Sequence, residues 1–219
     1  MIKVAVAGAA GRMGATTCEA VEAADDMELV GRADPSLGTS VADVLEGTDV
    51  LVDFTLPDQV VANVQLAAAS GVHCVVGATG WDEDELRAAV ADRPGNVFFA
   101  PNFAIGAVLM MRFAAEASKV MSGAEIIEYH HPKKVDAPSG TAKRTAALME
   151  GEVPIHSVRL PGIVADQDVI FGEEGQSLII RHVTSDLASF MPGVLLAIRN
   201  VAELPESPVI GLEKLLWPS

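Results

Sequence analysis

Two patterns of hydrophobic positions alternate along residues 1–103. Five short apolar runs have the length and β-branched content of buried strands: "IKVAVAG", "MELVGRAD", "DVLVDFT", "HCVVGAT" and "NVFFAPN". Between them, apolar side chains recur at helical spacing in residues 12–24, in "PDQVVANVQLAAASG" and in "DEDELRAAVADRPG". Strict alternation of strand and helix predicts an α/β fold with a Rossmann-like, doubly wound parallel sheet.

The pattern changes after residue 103. A long apolar helix, "NFAIGAVLMMRFAAEASKVMSG", leads to a strand, "AEIIEYHH", and a short helix, "KRTAALM". The strands "PIHSVRLPG" and "DVIFGEEGQSLIIRHVTS" then follow one another without helices between them. This order predicts a smaller α+β domain over residues 104–192. Because "FMPGVLLAIRNVAEL" is helical again, we expect residues 193–219 to rejoin residues 1–103 in the first domain.

Charge and cysteine usage narrow the class of protein. The 219 residues carry a formal net charge of -15, which argues against nucleic acid or an anionic membrane as a partner and favours small molecules. Cys18 and Cys74 lie in apolar surroundings without metal-type spacing, so two reduced thiols are expected. No secretory segment or long apolar span is visible. We therefore expect a cytoplasmic protein.

Glycines mark the first strand-to-helix turn. Gly8, Gly11 and Gly14 form G-x-x-G-x-x-G, which lets a pyrophosphate approach the backbone at a helix N-terminus. Asp34 ends the second predicted strand, where a carboxylate accepts hydrogen bonds from ribose hydroxyls. The alternative is a tight turn followed by a solvated acid. The order of the elements favours a dinucleotide site, and Pro35 favours NADH over NADPH, although Arg12 could still reach a phosphate.

Two further turns follow predicted strands. "GATGW" spans residues 77–81, and "APNF" spans residues 100–103. Ligands of open parallel sheets lie at the carboxyl ends of the strands, so we expect both turns to contact the nicotinamide half of the cofactor. Ordinary turn chemistry is the alternative.

The segment "EYHHPKKVDAPSGTA", residues 128–142, concentrates donor groups in an acidic chain. Extended to residue 144, it holds four basic and two acidic side chains, whereas residues 1–102 hold 5 basic and 16 acidic ones. A local positive field suits an anionic substrate. The Y-x-x-x-K spacing of Tyr129 and Lys133 would suit a short-chain dehydrogenase only on a helix, which Pro132 disfavours.

Other chemistries fit this segment less well. Adjacent His130 and His131 on a strand would point to opposite sides, so no metal site is predicted. A nucleophilic cysteine is disfavoured because Cys74 falls within a predicted buried strand. Proton transfer near neutral pH by a histidine, with an anion held by lysine and by the amides after Ser139, a predicted N-cap, is favoured. A capped surface helix beside exposed histidines is the alternative.

These motifs resemble one enzyme family. "GAAGRMG", "DFTLP", "GATGW", "APNFAIGAV" and above all "HHPKKVDAPSGTA" are similar to segments of the 4-hydroxy-tetrahydrodipicolinate reductases, and the resemblance extends from Ile2 to "VIGLEKLL". It implies an oxidoreductase of lysine and diaminopimelate biosynthesis that reduces 4-hydroxy-tetrahydrodipicolinate to tetrahydrodipicolinate with NADH or NADPH. It also implies a homotetramer joined through the sheet of the second domain.

The resemblance also implies residue roles at the matching positions. His130 would be the proton donor or acceptor, and Lys134 a proton donor. His131, Gly140 and Thr141 would bind the carboxylates of the substrate. The implied contacts with the nicotinamide nucleotide are Gly8, Ala9, Ala10, Gly11, Arg12, Met13, Asp34, Gly77, Ala78, Thr79, Ala100, Pro101, Asn102 and Phe103.

Three departures from the family pattern stand out. Ala78 replaces a usual threonine, "ADQD" at residues 165–168 lacks a frequent Gly-Glu-His, and the loop in "LMEGEVPIHSVR" is short. The short loop bears on oligomer geometry more than on chemistry. Two other functions stay open at this point: a Rossmann dehydrogenase for another small anionic substrate, and a non-catalytic NAD(H)-binding protein.

Overall fold

The chain folds as two compact units. The computed structural model describes residues 1–217, and within these the first unit comprises residues 1–103 and 190–217 and the second comprises residues 104–189. The chain returns to the first unit at Phe190, three positions before the expected boundary, because the returning helix begins at Met191.

Ten strands and seven α-helices follow one another in the described residues. The strands are β1 (Ile2–Ala7), β2 (Met27–Ala33), β3 (Val50–Asp53), β4 (His73–Val76), β5 (Val97–Phe99), β6 (Gly123–His130), β7 (Ile155–Arg159), β8 (Ala165–Glu173), β9 (Gln176–Thr184) and β10 (Val209–Ile210). The helices are α1 (Arg12–Glu22), α2 (Pro57–Ala69), α3 (Glu83–Val90), α4 (Ile105–Ser118), α5 (Gly140–Leu148), α6 (Met191–Asn200) and α7 (Glu213–Leu216).

A parallel six-stranded sheet forms the centre of the first unit. Its strand order is β10-β5-β4-β3-β1-β2, and every pairing is parallel. β3 is buried at all four positions, and the last four residues of β1 are buried as well, as expected for strands covered on both faces. The α/β prediction is confirmed. β10 was not predicted, because two residues carry no periodic signal.

The register of this sheet brings several strand ends to one edge. Ala7 pairs with Ala33 and with Asp53, and Asp53 pairs with Val76. The turns after β1, β2, β3 and β4 therefore leave the sheet at the same carboxyl edge. In open parallel sheets this edge is where ligands bind.

The second unit is built on a mixed four-stranded sheet in the order β7-β6-β8-β9. β6 pairs in parallel with β7 and antiparallel with β8, which pairs antiparallel with β9. Because side chains alternate between faces, Ile126, Glu128 and His130 share one face of β6. α5 packs against β6, and α4 packs against β9. The predicted α+β character of this unit is confirmed.

Gly193 lets α6 approach the backbone after β5. A Cβ atom at this position would lie 2.0 Å from the carbonyl oxygen of Phe103. Glycine within a helix ordinarily lowers stability by about 1 kcal/mol relative to alanine. At Gly193 we expect alanine to lower stability instead, because the added methyl group would enter a filled site and force the backbone apart.

We expect Gly193→Ala to lower the free energy of unfolding by about 1–3 kcal/mol, measured by urea denaturation. Gly172→Ala is the control, because a Cβ at Gly172 would meet no heavy atom within 4 Å. The control should change the free energy of unfolding by no more than about 0.5 kcal/mol. A higher unfolding midpoint for Gly193→Ala would contradict the close contact.

Candidate active site

The turn between β1 and α1 depends on glycine. Gly8 has φ +74°, and a Cβ atom there would lie 2.7 Å from the carbonyl oxygen of Phe54. A Cβ at Gly14 would lie 2.0 Å from the carbonyl oxygen of Gly8. Gly11 is the N-cap of α1 and has no side chain to occupy the helix N-terminus. The turn is therefore closely packed against its neighbours, and no side chain of Gly11 covers the N-terminus of α1. A phosphate can bind to the amides of such a helix N-terminus.

Asp34 lies directly after β2 and is tied to this turn. Its Oδ2 atom accepts a hydrogen bond from the amide of Ala10 at 3.3 Å, and its Oδ1 atom accepts from the amide and the hydroxyl of Ser36 at 2.9 and 2.7 Å. The Ser36 hydroxyl, then the Ser36 and Ala10 amides, hold the pKa of Asp34 below its usual range. The carboxylate is therefore ionised at neutral pH and held in position.

A cleft of about 400 Å³ opens at this edge of the first unit. It brings together Gly8, Gly11 and Asp34, which the sequence singled out. Its other lining residues are Ala7, Ala33, Pro35, Thr39, Ser40, Val41, Phe54, Thr55, Leu56, Gln59 and Asn63. A cleft with glycine backbone at one side and an ionised carboxylate beside it fits the phosphate and ribose of a dinucleotide.

The remaining residues of the glycine turn do not line this cleft. Ala9 is buried, Met13 is half-buried, and Ala10 and Arg12 are exposed at the surface. Two of their amides contact residues that line it: the amide of Ala10 donates to Asp34, and the amide of Ala9 donates to the carbonyl oxygen of Ala33 at 3.2 Å.

The turns after β4 and β5 lie outside the cleft. A Cβ at Gly77 would lie 2.1 Å from the ring of Phe54, so a larger residue there would force this ring to move. Ala78 is half-buried and Thr79 is exposed. After β5, Pro101 is exposed, Asn102 is half-buried, and Ala100 and Phe103 are buried. The side chains of Ala100 and Phe103 are therefore covered by the protein.

Sequence reasoning missed a buried acid beside the cleft. Asp53 has no solvent exposure, and its Oδ1 atom accepts from the amide and the hydroxyl of Thr55 at 2.8 and 2.6 Å. Its Oδ2 atom accepts from the side chain of Asn63 at 3.0 Å. Burial raises the pKa of Asp53 despite these bonds. The Asp-x-Thr spacing in "DFTLP" is a signal that could have revealed this turn.

In the second unit, His130 ends β6 and contacts a buried carboxylate. Its Nδ1 atom is hydrogen-bonded to Oε2 of Glu128, a side chain with no solvent exposure. The guanidinium of Arg159, on β7, donates to both carboxylate oxygens at 2.9 and 3.0 Å. Arg159 also donates to the carbonyl oxygen of Asp136 at 2.8 Å. Neither Glu128 nor Arg159 was predicted as part of the site.

The charges around His130 act in opposite directions. Burial lowers the pKa of the imidazole, the Glu128 carboxylate raises it, and Lys134 and Arg159 lower it; the net pKa lies below the usual value. For Glu128, burial raises the pKa of the carboxyl, but hydrogen bonds from Arg159, Ser157 and His130 outweigh this and the net pKa is lowered. The Glu128 carboxylate is therefore charged, and the neighbouring imidazole loses its proton at a lower pH than an ordinary histidine does.

The loop after β6 carries the other predicted site residues. Lys134 donates to Oδ1 of Asp136 at 2.8 Å. His131 is half-buried, and its Nδ1 atom is buried without a hydrogen-bond partner among residues 1–217. Ser139 is the N-cap of α5 and accepts from the amide of Ala142 at 3.1 Å, which confirms the predicted cap.

Gly140 and Thr141 are the first residues of α5. Gly140 is exposed, and a Cβ there would meet no atom within 4 Å. Thr141 is half-buried, and its carbonyl oxygen accepts from the hydroxyl of Thr145 at 2.8 Å. An exposed helix N-terminus after a basic loop can receive a carboxylate.

The structure bears on the disfavoured chemistries. Tyr129 lies on a strand and donates to Oδ2 of Asp168 at 3.0 Å, so it shares no helix with Lys133. Burial raises the pKa of the Cys74 thiol, which makes it a poor nucleophile. Across the described part of the chain there is no group of three or more acidic, histidine or cysteine side chains suited to a metal ion. No helix within residues 1–217 is long and apolar enough to cross a membrane.

Family models match both parts of the chain. The model for the N-terminus of dihydrodipicolinate reductase matches residues 2–103, and the model for its C-terminus matches residues 106–216. The curated 4-hydroxy-tetrahydrodipicolinate reductases of Cutibacterium acnes and Thermobifida fusca are each 47% identical to the chain, with 99% of both chains covered. Both alignments span 247 positions, so these relatives contain residues that this chain lacks.

A solved structure agrees in fold and sequence. The dihydrodipicolinate reductase of Paenisporosarcina sp. TG-14, determined with dipicolinate bound, matches with a TM-score of 0.84 and 36% identity over 98% of this chain and 99% of the other. Together with the family models and relatives, this match confirms the reductase activity and the NAD(P)H requirement that the sequence predicted. The chain belongs to the dihydrodipicolinate reductase family.

Proposed function

We propose that this reductase converts 4-hydroxy-tetrahydrodipicolinate to tetrahydrodipicolinate with His130 as the proton donor and Lys134 as an anion-binding group. The observation that carries the proposal is the contact of His130 with the buried, ionised Glu128 in a segment that also supplies Lys134. A histidine in such surroundings can exchange a proton near neutral pH. The reaction then needs a hydride, which a nicotinamide cofactor supplies.

The first unit would hold that cofactor. The glycine turn and the N-terminus of α1 would receive the pyrophosphate, and Asp34 would accept hydrogen bonds from the ribose. The turns Gly77–Thr79 and Ala100–Phe103 would contact the nicotinamide half. We infer that NADH is preferred over NADPH, because an ionised carboxylate at Asp34 repels a 2′-phosphate.

The second unit would hold the dicarboxylate. We expect His131 to contribute to this site, because its ring is half-buried and its buried Nδ1 atom has no partner within the described residues. Gly140 and Thr141 offer the N-terminus of α5, and Lys134 offers an ammonium group. The Paenisporosarcina enzyme binds dipicolinate, a planar dicarboxylate, which supports a ligand of this class.

Lys134 and His130 would have different roles in the reaction. Lys134 is ion-paired with Asp136, and a carboxylate of the ligand could take the place of that partner. His130 has a lowered pKa, so it can release a proton readily. We therefore assign proton donation to the His130 imidazolium and anion binding to Lys134.

We also propose a cytoplasmic homotetramer. On β9, Ile179 and Val183 are 58% and 54% exposed and lie on the same face of the sheet, where apolar side chains are expected to be covered by another subunit. The loop before β7 comprises only residues 149–154, so subunit geometry would differ from that of the longer relatives. Two buried, free cysteines suit a reducing compartment.

Asp34→Ala should raise the Kd for NADH by about tenfold or more, because charged hydrogen bonds to the ribose are lost. The Kd for NADPH should change less or fall, since the repulsion is removed. Fluorescence titration with both cofactors measures this. Asp25→Asn, which removes the same charge beyond the other end of α1, is the control. Equal weakening of both cofactors would contradict the role of Asp34.

His130→Gln should lower kcat about 100- to 10,000-fold, the usual contribution of a general acid, while the Kd for NADH stays unchanged. The assay is NADH oxidation with substrate made in place by the preceding synthase. For the unaltered enzyme, kcat/KM should fall as pH rises through the His130 pKa, below about 6.5, because the acid must be protonated.

The decrease of kcat with rising pH should occur at higher pH than the decrease of kcat/KM. In the enzyme–substrate complex, the two carboxylates of the substrate favour the imidazolium form of His130. If Lys134 were the donor, the decrease of kcat with rising pH would persist in His130→Gln. No NADH oxidation above background with active synthase present would contradict the proposed function itself.

Ile179→Asp should dissociate the tetramer, because it places a charge within a buried apolar interface. Sedimentation velocity at micromolar concentration measures the change. Val120→Asp is the matched control, because Val120 is 81% exposed and lies between α4 and β6, outside the strands of the sheet. An unchanged sedimentation coefficient for Ile179→Asp would show that this face is not the interface.

A further inference from the structure

Glu128 stands out because it is an ionised side chain with no solvent exposure. A buried carboxylate is tolerated only where donors satisfy its oxygens. Here Arg159 donates to both oxygens, and His130 contacts Oε2. The proton donor proposed above therefore sits at the end of a chain of charged hydrogen bonds that begins at β7.

The hydrogen bond fixes which ring nitrogen of His130 can reach a substrate. A carboxylate only accepts hydrogen bonds, so Nδ1 of the neutral ring must carry the proton that Glu128 receives. The other nitrogen, Nε2, then has a free lone pair and takes up or releases the exchangeable proton. In serine proteases a buried aspartate orients the catalytic histidine in the same way.

Arg159 fixes the carboxylate in turn. Its forked guanidinium uses two nitrogens for the two oxygens of Glu128, which is a bidentate arrangement with a defined plane. The same guanidinium donates to the carbonyl oxygen of Asp136 in the loop that carries Lys134. Rotation of the Glu128 carboxylate would break these bonds, so its orientation toward His130 is set from β7.

We infer that Glu128 is a positioning residue, which holds His130 in the Nδ1-protonated tautomer with Nε2 available to the substrate, and that Arg159 holds Glu128. This inference deepens the proposed function and rests on His130 as the proton donor. Four charged groups face the ring: Glu128 from its own strand, Arg159 from β7, and Lys134 and Asp136 from the loop after β6. Among the first three, only Glu128 favours the imidazolium.

Glu128→Gln removes the charge at nearly constant volume. Arg159 donates to both carboxylate oxygens, so the amide nitrogen of the glutamine faces a donor whichever oxygen it replaces. If it replaces Oε2, it also faces Nδ1 of His130, and the ring must then take the other tautomer to avoid a second donor–donor contact. We expect kcat to fall at least about tenfold, with the KM for the dicarboxylate and the Kd for NADH changed less than about twofold. The decrease of kcat/KM with rising pH should move to lower pH, because the Glu128 carboxylate no longer opposes the positive charges of Arg159 and Lys134.

Glu125→Gln is the matched control. Glu125 lies on the same strand and pairs with His156 at 2.9 Å, but both side chains are exposed. The control should leave kcat and the decrease of kcat/KM with rising pH unchanged. Glu128→Asp, which keeps the charge, should keep that decrease near its original pH even where kcat falls.

A measurement on the enzyme with Glu128 intact tests the inference even if the Glu128 variants fail to fold. In ¹⁵N-histidine-labelled enzyme, His130 is assigned by the signal lost in His130→Gln, and the neutral ring should show a protonated Nδ1 and an unprotonated Nε2. A protonated Nε2 in the neutral ring would overturn the inference. So would a Glu128→Gln enzyme that loses stability but keeps its kcat and the pH at which kcat/KM decreases.

The two proposals fail in different ways. The tautomer of His130 is read without turnover, so the inference about Glu128 is decided even if no NADH oxidation is found. Conversely, turnover that survives in His130→Gln rejects His130 as the donor whatever the tautomer is.

Discussion

The second unit depends on one buried charge. The effective penalty for moving a carboxylate out of water is several kcal/mol, and Glu128 avoids it through partners on two strands. The parallel register of β6 and β7 places Ser157 opposite Glu128 and Arg159 opposite His130. A shift by one position would turn these side chains to the other face of the sheet. The register of β6 against β7 therefore determines which side chains surround Glu128 and His130.

The first unit depends on close backbone approach instead of charge. Gly8, Gly14 and Gly77 each occupy a position where a Cβ would overlap a neighbouring atom. These contacts bring α1 and the turn after β4 against the strands that they follow. An ionised Asp34 and a buried Asp53 then lie at the edge of the same cleft or beside it. Small residues fix the shape of the cleft, and polar ones give it its selectivity.

Most of the fold could be read from the sequence, because both periodic signals are strong. Alternating strands and helices predicted the parallel sheet, and glycine placement predicted the nucleotide turn. The contact of Glu128 with His130 could also have been found, since residues two apart on a strand share a face. Arg159 could not, because its partner is set by parallel pairing of distant segments. β10 was too short to leave a pattern.

The hydrogen bond from the Ala10 amide to Asp34 has a consequence for ligand affinity. It joins the loop that would receive the pyrophosphate to the carboxylate that would receive the ribose. Less conformational freedom is then lost when a nucleotide arrives, and this loss opposes binding in flexible sites. The pyrophosphate and the ribose would consequently be bound cooperatively. A change that made either the loop or the Asp34 side chain more mobile would weaken the binding of both groups.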